Sequence, residues 1–229
     1  MSDIRENLRR VQEEAAAAAR RAGRLPGEVQ LVAVTKTVPP ERIKEALAAG
    51  VTACGENRVQ ELLVKQPLLP PGVQWHLIGH LQTNKVKSVI GRVALIHSLD
   101  SLHLAREIGR RSLERGWTAQ ALVQVNVAGE PTKYGLAPAE VADFLAECLS
   151  IEGLRIRGLM TIAPLVPRAE EVRPVFRALR LLAEKIRGDI PGVSMDFLSM
   201  GMTNDFTVAI EEGASIIRVG TAIFGSREG

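Results

Sequence analysis

The chain alternates between short, apolar, β-branched runs and longer stretches of helical spacing, and it does so eight times over. The strand-like runs fall near residues 31–35, 51–55, 75–79, 94–98, 121–125, 155–160, 195–199 and 215–219. The first, Leu31-Val32-Ala33-Val34-Thr35, is typical: branched side chains crowd a helix but pack well on a pleated surface. Between these runs, residues 41–49, 58–65, 83–90, 101–115, 138–150, 169–187 and 204–212 carry apolar positions at helical intervals. Residues 3–22 add a helix in front, with Ile4, Leu8, Val11 and Ala15 on one face and Gly23 and Pro26 to end it. Strands separated by helices join as parallel neighbours through right-handed crossovers.

Eight such units in 229 residues suit an α/β fold of one kind, a (β/α)8 TIM-type barrel with an extra N-terminal helix. An open doubly wound sheet usually announces itself by a glycine-rich first turn, and no GxGxxG follows residues 31–35. No linker, low-complexity stretch or charge block divides the chain, so residues 1–229 are expected to form a single domain.

Composition removes several function classes. The 29 basic and 26 acidic residues leave a net charge of only +3, spread along the chain, and aromatic residues make up 3%. Neither a basic stripe nor a stacking platform is available, so nucleic acid is not an expected partner. Cys54 and Cys148 stand far apart in no metal-ligand spacing, so they are expected to be buried small hydrophobes, and no metal is expected. No apolar run approaches the roughly 20 residues of a membrane span, and the N-terminus carries no secretory h-region. A cytoplasmic protein without a membrane partner is the expectation.

In a parallel barrel the functional groups gather where the strands end. Lys36 closes the apolar run of residues 31–35. A lysine at a strand end ordinarily carries its charge out to water, but on a barrel's functional face a desolvated amine becomes a nucleophile able to form an imine. Two glycine-bearing loops follow the last strands: Ser199-Met200-Gly201-Met202-Thr203, and Arg218-Val219-Gly220-Thr221-Ala222-Ile223-Phe224-Gly225. Small residues let backbone amides approach an anion, and barrels often bind phosphate after strands seven and eight. A lysine beside a phosphate cradle fits either a Schiff-base aldolase acting on a sugar phosphate or a pyridoxal phosphate site. The residues alone leave both open.

Longer motifs carry a resemblance. Ala33-Val34-Thr35-Lys36-Thr37, Gly55-Glu56-Asn57-Arg58-Val59-Gln60-Glu61 and the run from Trp75 to Lys85 resemble the pyridoxal phosphate homeostasis protein family, related to the N-terminal barrel of alanine racemase. Arg157-Gly158-Leu159-Met160-Thr161 and both glycine-bearing loops match it as well. The resemblance implies pyridoxal 5′-phosphate as cofactor, held as a Schiff base on Lys36. It implies a binding set of Lys36, Asn57, Ser199, Gly201, Thr203, Arg218, Gly220 and Thr221. Ser199, Gly220 and Thr221 would hold the phosphate, Arg218 would face the pyridine nitrogen, and Asn57 would lie beside the cofactor. Two positions depart from the family pattern: His80, where many relatives have another residue, often proline, and Tyr134, which varies.

A guanidinium at the pyridine nitrogen disfavours its protonation and weakens the ring as an electron sink. Racemases of this class also use a tyrosine from an added β domain as a second proton-transfer group. This chain ends soon after residues 215–219, so that domain is not expected, and its one tyrosine, Tyr134, has no evident reason to aim at the cofactor. The leading expectation is therefore a carrier or buffer of pyridoxal phosphate without a defined turnover, with recipient enzymes as partners and a monomeric state. The alternative is a weak amino-acid racemase or decarboxylase, with His76, His80 or Cys54 as a substitute base.

Overall fold

The computed structural model describes residues 3–225; residues 1–2 and 226–229, the ends of the expected domain, lie outside the described residues. Eight strands pair in sequence order into a closed barrel in which every pairing is parallel. They are β1 (Gln30–Val34), β2 (Ala53–Glu56), β3 (Gln74–Leu77), β4 (Leu95–Leu99), β5 (Ala119–Gln124), β6 (Leu154–Met160), β7 (Phe197–Ser199) and β8 (Ile216–Val219). The helices are α1 (Ile4–Arg21), α2 (Pro40–Ala48), α3 (Val59–Lys65), α4 (Val86–Val89), α5 (Leu102–Leu113), α6 (Val141–Cys148), α7 (Arg173–Asp189), α8 (Phe206–Glu211) and α9 (Thr221–Phe224). All eight expected strands are present. The expected helix at residues 83–90 is divided into a 3-10 turn, Thr83–Lys85, and the single turn of α4, and the chain leaves helical geometry at Ile90, ψ 130°, ahead of Gly91 at φ +76°.

Strand residues alternate between two environments, as the two-residue period of a pleated strand requires. Val32, Ala53, Leu95, Leu122, Met160 and Ile216 point inward and form an apolar plug inside the barrel. Their sequence neighbours Ala33, Cys54, Ile96, Val123, Leu159 and Ile217 point outward into the larger core under the helices. Extending the inward rows toward the strand ends reaches His76, His97, Ser199, Arg218 and Gly220. The polar interior therefore sits directly beyond the plug, on the face where the strands finish.

The N-terminal helix α1 buries Ile4, Leu8, Val11, Ala18 and Ala19, and Asp3 caps it by accepting from the Arg5 and Glu6 amides. A fully buried leucine such as Leu8 contributes about 2 kcal/mol relative to exposure. The Asn7 side chain donates to the Ile223 carbonyl at 3.1 Å, so α1 fixes the turn α9 that follows β8. Cys54 and Cys148 are buried and unpaired, with burial pushing both thiols up to about 12.

Candidate functional site

A cavity of about 1090 Å³ opens at the C-terminal ends of β1, β6, β7 and β8. Lys36, Thr37, Pro39 and Arg42 line it from the β1 side, and Thr203, Arg218, Gly220 and Thr221 from the side of β7 and β8. Among the described residues, its charged lining comprises Lys36, Arg42, Lys133 and Arg218 against a single carboxylate, Asp205. Such a wall favours an anion. Burial raises the pKa of Asp205, opposed by the Met202 amide at 2.6 Å and the field of Arg218.

Arg218 forms the buried floor. Its Nη1 donates to Ser199 Oγ at 2.5 Å and its Nη2 to the Thr161 carbonyl at 2.8 Å. Burial pulls its pKa down to about 10, so the guanidinium stays charged at neutral pH. Ser199 Oγ also meets Nδ1 of His97 at 2.9 Å, and Nε2 of His97 meets Nδ1 of His76 at 2.9 Å. Burial holds His76 down to about 4, and burial with the field of His76 and Arg218 holds His97 well below its usual value. Both rings are neutral near pH 7, and each can accept on one nitrogen while donating from the other.

The loops after β7 and β8 meet across the cavity. Amides in the first turn of a helix have no intrahelical partner; that of Ala222 in α9 reaches the Thr203 hydroxyl at 3.4 Å. Gly220 stands so close to β1 that a Cβ there would lie 3.2 Å from the Val34 Cβ and 3.3 Å from its carbonyl oxygen.

The structure therefore gathers Lys36, Thr203, Arg218, Gly220 and Thr221 around one cavity. Three expected residues lie elsewhere. Ser199 is wholly buried, and its hydroxyl is taken up by Arg218 and His97 rather than turned to the loop surface. Gly201 adopts φ +93° under α8, where a Cβ would come 2.6 Å from that of Ala209, and its carbonyl accepts from the Arg218 amide. Asn57 follows β2 half-buried, packed against Gly79, and is not on the cavity wall. His80 pairs with Asp100 at 3.4 Å and stacks on Tyr134 with ring centroids 4.0 Å apart. Tyr134 is thus engaged at the rim and does not line the cavity.

Sequence reading missed His97, Asp205 and the charged group behind Lys36 formed by Glu56, Glu61 and Lys65. A histidine inside the buried strand Leu95-Ile96-His97-Ser98-Leu99 was the available signal for the first. Glu61 and Lys65 stand four residues apart in α3, a spacing the sequence shows, whereas their junction with Glu56 and Thr35 and the field of Arg218 on Asp205 need the fold.

A closed parallel barrel with an amine at the end of β1 and paired small-residue loops after β7 and β8 belongs to the alanine racemase N-terminal domain class, whose family model matches residues 2–228. The pyridoxal phosphate homeostasis protein of Aquifex aeolicus is 46% identical over 97% of this chain and 98% of its own length. The chain belongs to the pyridoxal phosphate homeostasis protein family. Among solved structures, that of PipY of Synechococcus elongatus PCC7942 with PLP bound superposes with a TM-score of 0.84 at 38% identity, covering 97% of this chain and all of that one. Alanine racemase of Clostridium difficile 630 shares the fold, with a TM-score of 0.75 at 16% identity over 99% of this chain and 57% of the racemase.

Proposed function

We propose that this protein binds pyridoxal 5′-phosphate as a Schiff base on Lys36 and serves intracellular homeostasis of that cofactor as a carrier. The observation that carries the reading is that Lys36 lines a cationic cavity together with Thr203, Gly220 and Thr221 of the loops after β7 and β8. The donor set fits the group: an amine for the aldehyde, and hydroxyls with backbone amides for the phosphate. The family relatives are named for the same homeostasis, and PipY was solved with PLP bound.

Lys36 would supply the amine that holds the aldehyde reversibly. Thr203, Gly220 and Thr221 hold the phosphate end. Arg218 would meet the pyridine nitrogen, and Ser199 would act through Arg218 by keeping the guanidinium in place. Gly201 and Asn57 shape the loops behind these groups. A charged guanidinium at that nitrogen disfavours its protonation, so the bound cofactor stabilises carbanions poorly. Tyr134, stacked on His80 with more than half of its surface exposed, supports a carrier over a two-base racemase.

The remaining assignments are part of the same proposal. The protein works in the cytoplasm as a monomeric single-domain barrel, since one chain supplies every residue invoked, and it delivers the cofactor to recipient enzymes. No described helix is long and apolar enough to cross a membrane.

The test is the visible spectrum of the protein mixed with pyridoxal phosphate, followed by borohydride reduction and peptide mapping. An adduct on Lys36, lost in Lys36→Ala, is expected. A protein that takes up no cofactor, or an adduct mapping to Lys85 or Lys133, overturns the reading.

A further inference from the structure

Strand alternation separates Lys36 from Thr35 before it. Lys36 lines the cavity, whereas Thr35, buried and of the same parity as outward Ala33, turns away from the barrel toward α3. There its hydroxyl donates to Glu56 Oε1 at 2.7 Å, and its carbonyl accepts from Lys65 Nζ at 2.7 Å. On the other side of Lys36, the Thr37 amide donates to Glu61 Oε2 at 2.8 Å. Lys65 Nζ closes the group, 2.7 Å from Glu56 Oε1 and 2.9 Å from Glu61 Oε2.

An ammonium has three donors, and Lys65 commits one to each of these oxygens. Its side chain is 9% exposed and that of Glu56 is fully buried. A buried cation between two carboxylates is costly to desolvate and gains little net stability over an apolar packing. What it achieves here is directional: it grips the peptide groups on both sides of a single residue.

Thr37 shows what is being held. It sits at φ +61°, the one non-glycine residue among those described in the left-handed region. Branched side chains rarely adopt that conformation, and it persists only where surrounding contacts over-determine it. The Glu61 carboxylate on the Thr37 amide is such a contact.

We infer that Lys65, Glu61 and Glu56 are positioning residues for Lys36, fixing the backbone on either side of it so that its amine faces the aldehyde in the cavity. This rests on the reading of Lys36 as the imine-forming lysine. A group serving stability alone would change the melting temperature of its variants and leave the imine equilibrium of the folded protein untouched.

The experiment compares the parent with Glu61→Ala, Glu61→Gln and the double variant Glu61→Ala/Thr37→Gly. Each is titrated with pyridoxal phosphate by absorbance, trapped with borohydride, mapped, and melted in parallel. Glu61 is partly exposed and Lys65 keeps Glu56 as partner, so Glu61→Ala folds. Its imine formation constant is expected to fall about tenfold as Thr37 relaxes out of the left-handed region. Glu61→Gln retains an oxygen for the Thr37 amide and stays close to the parent. Glycine at position 37 adopts positive φ without help, so the double variant recovers much of the loss. Equal constants for parent and Glu61→Ala overturn the inference, as does a loss that Thr37→Gly leaves unrepaired. A parent protein with no adduct on Lys36 instead refutes the cofactor reading, and this inference falls with it.

Discussion

Nη1 of Arg218 donates to the hydroxyl of Ser199, and through that hydroxyl a strand-end cation is joined to the buried rings of His97 and His76. A buried guanidinium gives up its water and recovers part of that cost through well-aligned acceptors. Arg218 uses two different nitrogens on acceptors from β7 and from the residue after β6, which locks the plane of its head group. The cavity floor is consequently rigid, and several outcomes follow from how it and the neighbouring groups are held.

Arg218→Lys keeps the charge but replaces a planar fork by a single ammonium. It cannot serve Ser199 and the Thr161 carbonyl in the same geometry, and leaving a buried acceptor unmet costs about 1–3 kcal/mol. Urea unfolding should give a correspondingly lower midpoint. An unchanged midpoint would show that the fork contributes nothing to stability.

The histidine pair makes stability depend on pH. The folded pKa of His76, about 4, lies below its ordinary 6.5, so the unfolded chain binds the extra proton. The stability from keeping this ring neutral is complete above pH 6.5 and is lost as pH falls toward 4. For His76 alone the loss is about 3 kcal/mol, and His97 acts in the same direction. Thermal melting between pH 7 and pH 4 should show this decline, and His97→Gln should flatten it.

Thr203→Val removes a hydroxyl from the cavity wall with little change in volume. Losing one hydrogen bond to a phosphate weakens binding by about 1 kcal/mol, some fivefold. Titration should find that weakening for pyridoxal phosphate and none for pyridoxal, which lacks the phosphate. Equal effects on both would place Thr203 away from the phosphate end.

Lys65→Met strips the cation from Glu56 and Glu61. Removing one partner of a buried ion pair costs about 3–5 kcal/mol, because the remaining charge is left uncompensated. Burial already holds the Glu56 carboxyl above its usual range, so Glu56 takes up a proton as pH falls, and the deficit relative to the parent should shrink. Denaturant unfolding at pH 7 and pH 5 reads this directly; a deficit that grows on acidification would contradict it.

The barrel was legible because its signal is local. Val32 and Val34 alternate with Leu31 and Ala33 in four consecutive residues, and Ile4, Leu8 and Val11 repeat at helical intervals, so each element can be read within its own window. Lys36, Gly220 and Thr221 were legible for a related reason: each lies within two residues of the end of an apolar run, and a parallel barrel brings all such ends to one face. The single turn of α4 was less so, since the apolar spacing over residues 83–90 does not show that residues 83–85 wind as a 3-10 turn or that Ile90 is already out of helical geometry.

Ser199 marks where local reading stopped. Its neighbours Gly201 and Thr203 suggested a phosphate loop, and Thr203 does reach the cavity, but strand alternation turns the Ser199 side chain into the barrel. There it meets His97, a residue 102 positions away. The same holds for Thr35, which no sequence window connects to Lys65, 30 positions on.

From its sequence alone, the chain determines eight strand-and-helix units, the lysine at the first strand end and the small residues after the last two, because each depends on neighbours within a few positions. Only closure of the barrel decides which polar groups share its interior, how Arg218 is oriented, and what clamps the backbone around Lys36. Those contacts join residues through space, and their strength comes from the exclusion of water, a property of the folded core and of no single segment.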